Sequence, residues 1–154
     1  MKIYSLERKQ NLAMTISEAW NFFSNPKNLP LITPPSLKLN ITSEVPERMY
    51  TGMIITYTVD PLLNLPITWV TEITHVDKPD IFIDEQRFGP YKFWHHQHKF
   101  KEIEGGIEAT DLIHYVLPLD PLSRIADELI VKKQLADIFD YKSVYLENEF
   151  GKIE

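Results

Sequence analysis

Turn residues divide this chain into two regimes, and the change between them limits what it can fold into. Between Leu37 and Leu117 the breaks come often, at Pro46 and Gly52, Asp60-Pro61, Asp77-Lys78-Pro79-Asp80, Gly89-Pro90 and Gly105-Gly106. The segments between them, residues 37–42, 53–59, 66–76, 81–88, 92–103 and 107–117, are rich in Ile, Val, Thr and aromatics and read as strands. Their short connections make successive strands antiparallel neighbours. From Leu122 to Phe150 the punctuation stops, and the next Gly is Gly151. Asp120-Pro121 supplies a cap and a first-turn proline for a helix on the order of 40 Å long at ~1.5 Å per residue.

The front of the chain adds one strand at residues 3–12. Thr15 and Glu18 form a capping-box pattern that starts a helix through Ala19, Trp20, Phe22 and Phe23. Asn25-Pro26 ends it and opens a second short helix, which Thr33-Pro34-Pro35 ends in turn. The order predicts an α+β fold: a curved seven-stranded antiparallel sheet wrapped around a long C-terminal helix, with two short helices between strands 1 and 2. Ile125, Leu129, Ile138, Phe139, Tyr145 and Leu146 give the long helix an apolar side, while Arg124, Lys132, Lys133 and Lys142 read as a solvated face. One helix covers the apolar face of such a sheet without filling its concavity, so an internal cavity is expected.

Composition narrows the function classes. A length of 154 residues fits a single domain, 1–154, able to bury its own core. The formal net charge of −6, with no Lys/Arg cluster, argues against nucleic-acid and anionic-membrane partners. With no cysteine there is no disulfide, thiolate metal site or Cys nucleophile. No apolar run is long enough to span a membrane, and Met1 to Gln10 lacks a signal-peptide core, so cytoplasmic residence is the default. Nothing in the sequence calls for a cofactor, and oligomeric state is open.

The chemistry-bearing stretch runs from Phe82 to Tyr115. Strand alternation puts Trp94, His96, His98 and Phe100 on one face and His95, Gln97 and Lys99 on the other; the aromatic set faces inward. A tight turn at Glu104-Gly105 or Gly105-Gly106 opposes even positions to odd ones. Ala109, Asp111, Ile113 and Tyr115 then share the inward face, and His98 lies opposite or diagonal to Asp111. A three-residue or bulged turn at Gly89-Pro90 adds Asp84 and Gln86, with Asp84 near His96. Alternation from Trp69 extends the set to Thr71, Ile73 and His75. The expected interior is a polar stripe of Asp84, Gln86, His96, His98 and Asp111 within an aromatic shell of Trp69, Trp94, Phe100 and Tyr115. Three readings are open: a hydrogen-bonded network that orders the sheet, polar anchors for a mostly apolar guest, or an Asp-oriented His acting as acid or base. A metal site is not expected, because strand-alternate His pairs are common and no helical His-Glu-x-x-His pattern is present.

The sequence also resembles a known group. Phe-x-Asp-x-Gln at residues 82–86, Gly-Pro-Tyr at 89–91, Trp-x-His-x-His-x-Phe at 94–100, then Asp111 and Tyr115 before Pro118, resemble the bacterial SRPBCC proteins, START-like and pollen-allergen-like. Ala-Trp-x-Phe-Phe-Ser-Asn-Pro at 19–26, Ile-Thr-Pro-Pro at 32–35 and Ile-Phe-Asp-Tyr at 138–141 extend the resemblance over essentially the whole chain. It departs at Gly106-Ile107, where Gly-Thr is usual, and at Ala109. The resemblance implies a helix-grip fold and a hydrophobic cavity. The first expectation is a binding protein for a lipid-like, aromatic or polyketide-like molecule. The second is a cyclase/dehydrase-type enzyme in which His96 or His98 moves a proton and Asp84 or Asp111 orients the imidazole. The third is a module that binds a protein partner.

Overall fold

The computed structural model describes residues 1–60, 65–117 and 124–154, with side chains throughout except at 124–127. The expected cap at Asp120-Pro121 lies outside the described residues. Seven strands form one antiparallel sheet in the order β1-β7-β6-β5-β4-β3-β2: β1 Tyr4–Leu12, β2 Asn40–Ile41, β3 Ile54–Val59, β4 Ile67–Asp77, β5 Ile81–Phe88, β6 Phe93–Ile103 and β7 Gly106–Val116. The first strand closes onto the last, so β7 is flanked by both β1 and β6. Helix α1, Ile16–Phe23, begins at the Thr15/Glu18 capping box, with both reciprocal hydrogen bonds formed. Helix α2, Arg124–Phe150, is the long C-terminal element.

The second short helix, Pro26–Ile32, is 3-10 in type and carries Pro30 inside it; Asn25 caps it by accepting from Lys27 N. A further 3-10 turn, Pro35–Leu37, takes in Leu37, which was expected to open a strand. Its consecutive prolines favour a first turn, and Lys38 ends it with φ 45°. The strand that follows is reduced to two residues.

Two glycines set the β6–β7 hairpin and its neighbour. Ile103 pairs with Gly106 across a two-residue Glu104-Gly105 turn, where Gly105 takes φ +83°. A Cβ on Gly106 would collide with the Leu12 carbonyl oxygen, so only glycine lets β1 pack there. Helix α2 is stitched to the same corner: Gln10 Nε2 donates to Ser143 O at 2.8 Å and Ala13 N to Gly151 O at 3.0 Å.

The inward stripe of α2 is Leu135, Phe139, Lys142 and Leu146, spaced four, three and four apart and all buried. This corrects two sequence expectations. Leu129 faces solvent at 66% exposure, and Lys142 is buried at 8%. Ile125 lies among the side chains not described. Replacing the fully buried Leu146 by Ala should cost about 3 kcal/mol in urea unfolding, while Leu129→Ala should stay within about 0.5 kcal/mol. Equal losses would mean that α2 packs on a different face.

Candidate functional site

A cavity of about 210 Å³ lies between the concave sheet face, the first 3-10 helix and α2. Three core clusters border it, represented by Phe82, by Trp94 with Leu135 and Phe139, and by Ile55 with Ile73. One part of the wall is aromatic: Trp69 stacks on Tyr57 at 5.9 Å and meets Trp94 edge-on at 5.4 Å, and Tyr91 packs on both tryptophans. Tyr57 OH and Thr71 Oγ1 share a hydrogen bond of 3.1 Å. Burial raises the Tyr57 and Tyr91 phenols, so both stay neutral. Among the described residues, the buried side-chain polar atom left without a partner is Trp69 Nε1.

The polar end is built by three strands and the helix. Cross-strand pairing sets Asp84 opposite His96 and His98 opposite Asp111. The hydrogen bonds run diagonally to this pairing. His98 Nε2 donates to Asp84 Oδ2 at 2.6 Å, and His96 Nε2 donates to Asp111 Oδ1 at 2.9 Å. The remaining ring nitrogens face the other carboxylates, His98 Nδ1 at 3.3 Å from Asp111 and His96 Nδ1 at 3.5 Å from Asp84. The imidazoles lie against each other, centroids 3.7 Å apart, and Phe82 stacks on His98 at 4.1 Å.

From α2, Lys142 Nζ reaches both oxygens of Asp111 at 2.8 Å. Sequence reasoning missed it. Its charge suggested the solvated face, yet its position three after Phe139 and four before Leu146 lies on the apolar stripe. Tyr57 also went unremarked, although it alternates with the inward Ile55 and Val59 on β3.

Not every expected residue reaches the cavity. Trp69, Asp84, Trp94, His96 and His98 line it. Asp111 lies behind the histidines, Phe100 packs with Trp20, Phe23 and Phe82, and Tyr115 stacks on Tyr4 at 5.4 Å. The Gln86 amide closes the β5–β6 loop instead, donating to Tyr91 O at 2.6 Å and accepting from Tyr91 N at 3.1 Å. His75 turns outward, because a bulge between Ile73 and His75 shifts the alternation by one residue.

The electrostatics separate the two histidines. Burial alone would raise both carboxyls. The neighbouring imidazoles outweigh it at Asp84, and Lys142 followed by the two imidazoles outweighs it strongly at Asp111, so both lie below the ordinary carboxylate range. Burial and the charge of His98 push His96 down, against its bond to Asp111. For His98 burial acts downward too, but hydrogen bonds to Asp111 and Asp84 prevail and raise it. When His98 carries its second proton, two carboxylates, one ammonium and one imidazolium sum to zero charge. The raised His98 contributes stability that is complete below about pH 6.5 and is lost as pH rises through its folded pKa. In a nitrogen-15 titration of the ring signals, His98 should hold its proton above the ordinary imidazole midpoint and His96 should stay neutral below it. A common, unshifted midpoint would contradict this division.

No family model matches the sequence, and no curated protein matches it. Solved structures do. Ara h 8.0201 superimposes with a TM-score of 0.64 at 13% identity over 96% of this chain and 100% of that one. A protein from Thermus thermophilus gives 0.69 at 13% identity over 94% and 95%. A point mutant of Thalictrum norcoclaurine synthase, solved with a transition-state analogue, gives 0.64 at 18% identity over 96% and 97%. No helix among the described residues is long and apolar enough to cross a membrane. With its seven-stranded antiparallel sheet and long C-terminal helix, the chain has the Bet v 1-like helix-grip fold.

Proposed function

We propose that this protein binds a compact, largely apolar molecule in its internal cavity, with the ring system against Trp69, Tyr57, Tyr91 and Trp94 and a polar substituent toward Asp84, His96 and His98. The observation that carries the reading is the cavity itself: a partly open hollow between sheet and helix, walled mainly by apolar side chains, and polar at one end. Its volume bears on the guest. A cavity of about 150 Å³ lined by aliphatic and aromatic side chains takes benzene, so about 210 Å³ suits one or two fused rings better than an extended acyl chain.

A second reading shares the same groups. Asp84, His96 and His98 line the cavity, and a carboxylate-oriented imidazole beside a bound ring can act as general acid or base. The norcoclaurine synthase mutant is an example of this fold holding a transition-state analogue. Binding and acid–base chemistry are therefore successive possibilities for one site, and binding comes first.

An environment-sensitive dye should bind and be displaced by naphthalene-sized aromatics, with a response in the fluorescence of Trp69 or Trp94. Trp69→Ala, which removes the centre of the aromatic wall, should weaken naphthalene about two- to tenfold. No displacement by any small aromatic, from a protein shown to be folded, would reject the binding reading.

A further inference from the structure

A carboxylate only accepts hydrogen bonds, so the His96 nitrogen that carries the proton is Nε2, 2.9 Å from Asp111 Oδ1. In the neutral ring Nδ1 then turns a lone pair toward Asp84 Oδ2, 3.5 Å away. His98 Nε2 approaches the same Asp84 oxygen at 2.6 Å. One donor atom from each of Asp84, His96 and His98 lies within 4.8 Å of the others. These three residues line the cavity and Asp111 does not.

We propose that Asp84, His96 and His98 form a site for a divalent transition-metal ion of the zinc type, with its remaining coordination positions open to the apolar cavity. Two imidazoles and one carboxylate are ligands suited to such an ion, rather than to magnesium or calcium. The surroundings are those of a metal site as well. Asp111 accepts from the far nitrogens of both rings, at 2.9 Å from His96 Nε2 and 3.3 Å from His98 Nδ1. A carboxylate behind a ligating histidine fixes ring orientation and tautomer in this way. Lys142, bound to both Asp111 oxygens, keeps that carboxylate behind the rings.

Little has to move. Ligands at zinc–nitrogen and zinc–oxygen distances in a tetrahedron stand roughly 3.3 Å apart. The His98–Asp84 contact would therefore open by less than about 1 Å, and the His96–Asp84 distance is already close to that value. The ion takes the place of the proton on His98 Nε2, which leaves to solvent. Two carboxylates, one ammonium and one dication leave a single positive charge facing the cavity. The complementary guest is an apolar molecule with an anionic oxygen, such as a phenolate, an enolate or a carboxylate.

This site rests on the polar end of the cavity and not on the apolar guest, so either proposal can fail while the other stands. Metal-stripped wild-type protein titrated with Co²⁺ should saturate at one equivalent, with the ring resonances of His96 and His98 shifted or broadened ahead of those of His75, His95 and His114. Asp84→Asn should abolish the saturable site, and Asp111→Asn should weaken Zn²⁺ by about 10- to 100-fold. If either variant fails to fold, the wild-type resonances decide alone. Absence of saturable binding, or perturbation that begins at His95 or His114, would overturn the proposal.

Discussion

The ion pair between Lys142 and Asp111 is the contact on which the rest of the interior depends. It joins the long helix to the strand at the middle of the β1-β7-β6 ladder, and both partners are largely withdrawn from water. An ammonium on an apolar helix stripe is tolerable only where a carboxylate meets it, and the bidentate contact at 2.8 Å meets that condition. Asp111, held below its ordinary range chiefly by Lys142, then orients both imidazoles. The rings in turn satisfy Asp84 at the cavity wall. A chain of charge thus runs from α2 through β7 and β6 to β5, and it balances within itself. Such a pair adds less to stability than an apolar contact of equal size would. Its consequence here is specificity: only one rotation of α2 brings Lys142 to Asp111, and that same rotation buries Leu135, Phe139 and Leu146.

Cavity and cluster come from one geometric cause. Pairing of β1 to β7 needs the bare Gly106 against the Leu12 carbonyl, and the bulge between Ile73 and His75 bends β4 and turns Val76 rather than His75 inward. A sheet that curves this way leaves more space than one helix fills. Aromatic side chains occupy part of the remainder, but charged side chains cannot pack to close it. The open volume therefore lies between a ring-lined wall and a hydrogen-bonded polar end, which is the arrangement an amphipathic guest requires.

Much of this was legible in the sequence because turn chemistry determines register. Glu104-Gly105 makes a two-residue hairpin, and that parity alone sets His98 opposite Asp111 and Trp94 opposite Tyr115. The Thr15/Glu18 capping box and the Gly- and Pro-free tail were equally plain. The failures share a physical type. Lys142 was assigned by charge, whereas its spacing from Phe139 and Leu146 marked it as inward. His75 was assigned by alternation, which a bulge interrupts without any Gly or Pro to announce it. Gln86 satisfies a loop backbone that strand periodicity does not describe. The diagonal choice of partners, His96 with Asp111 and His98 with Asp84, depends on ring rotation, which register does not determine.

The central claim is that Lys142 and Asp111 act as one unit tying the helix to the histidine cluster, and a double-mutant cycle at neutral pH tests it most directly. Lys142→Met leaves a buried carboxylate and Asp111→Asn leaves a buried ammonium, so each should cost about 3–5 kcal/mol. The combined variant removes both charges and should cost less than the sum by about 2 kcal/mol or more. If the two losses add to within about 0.5 kcal/mol, the pair is not coupled, and the helix is placed by its apolar contacts alone.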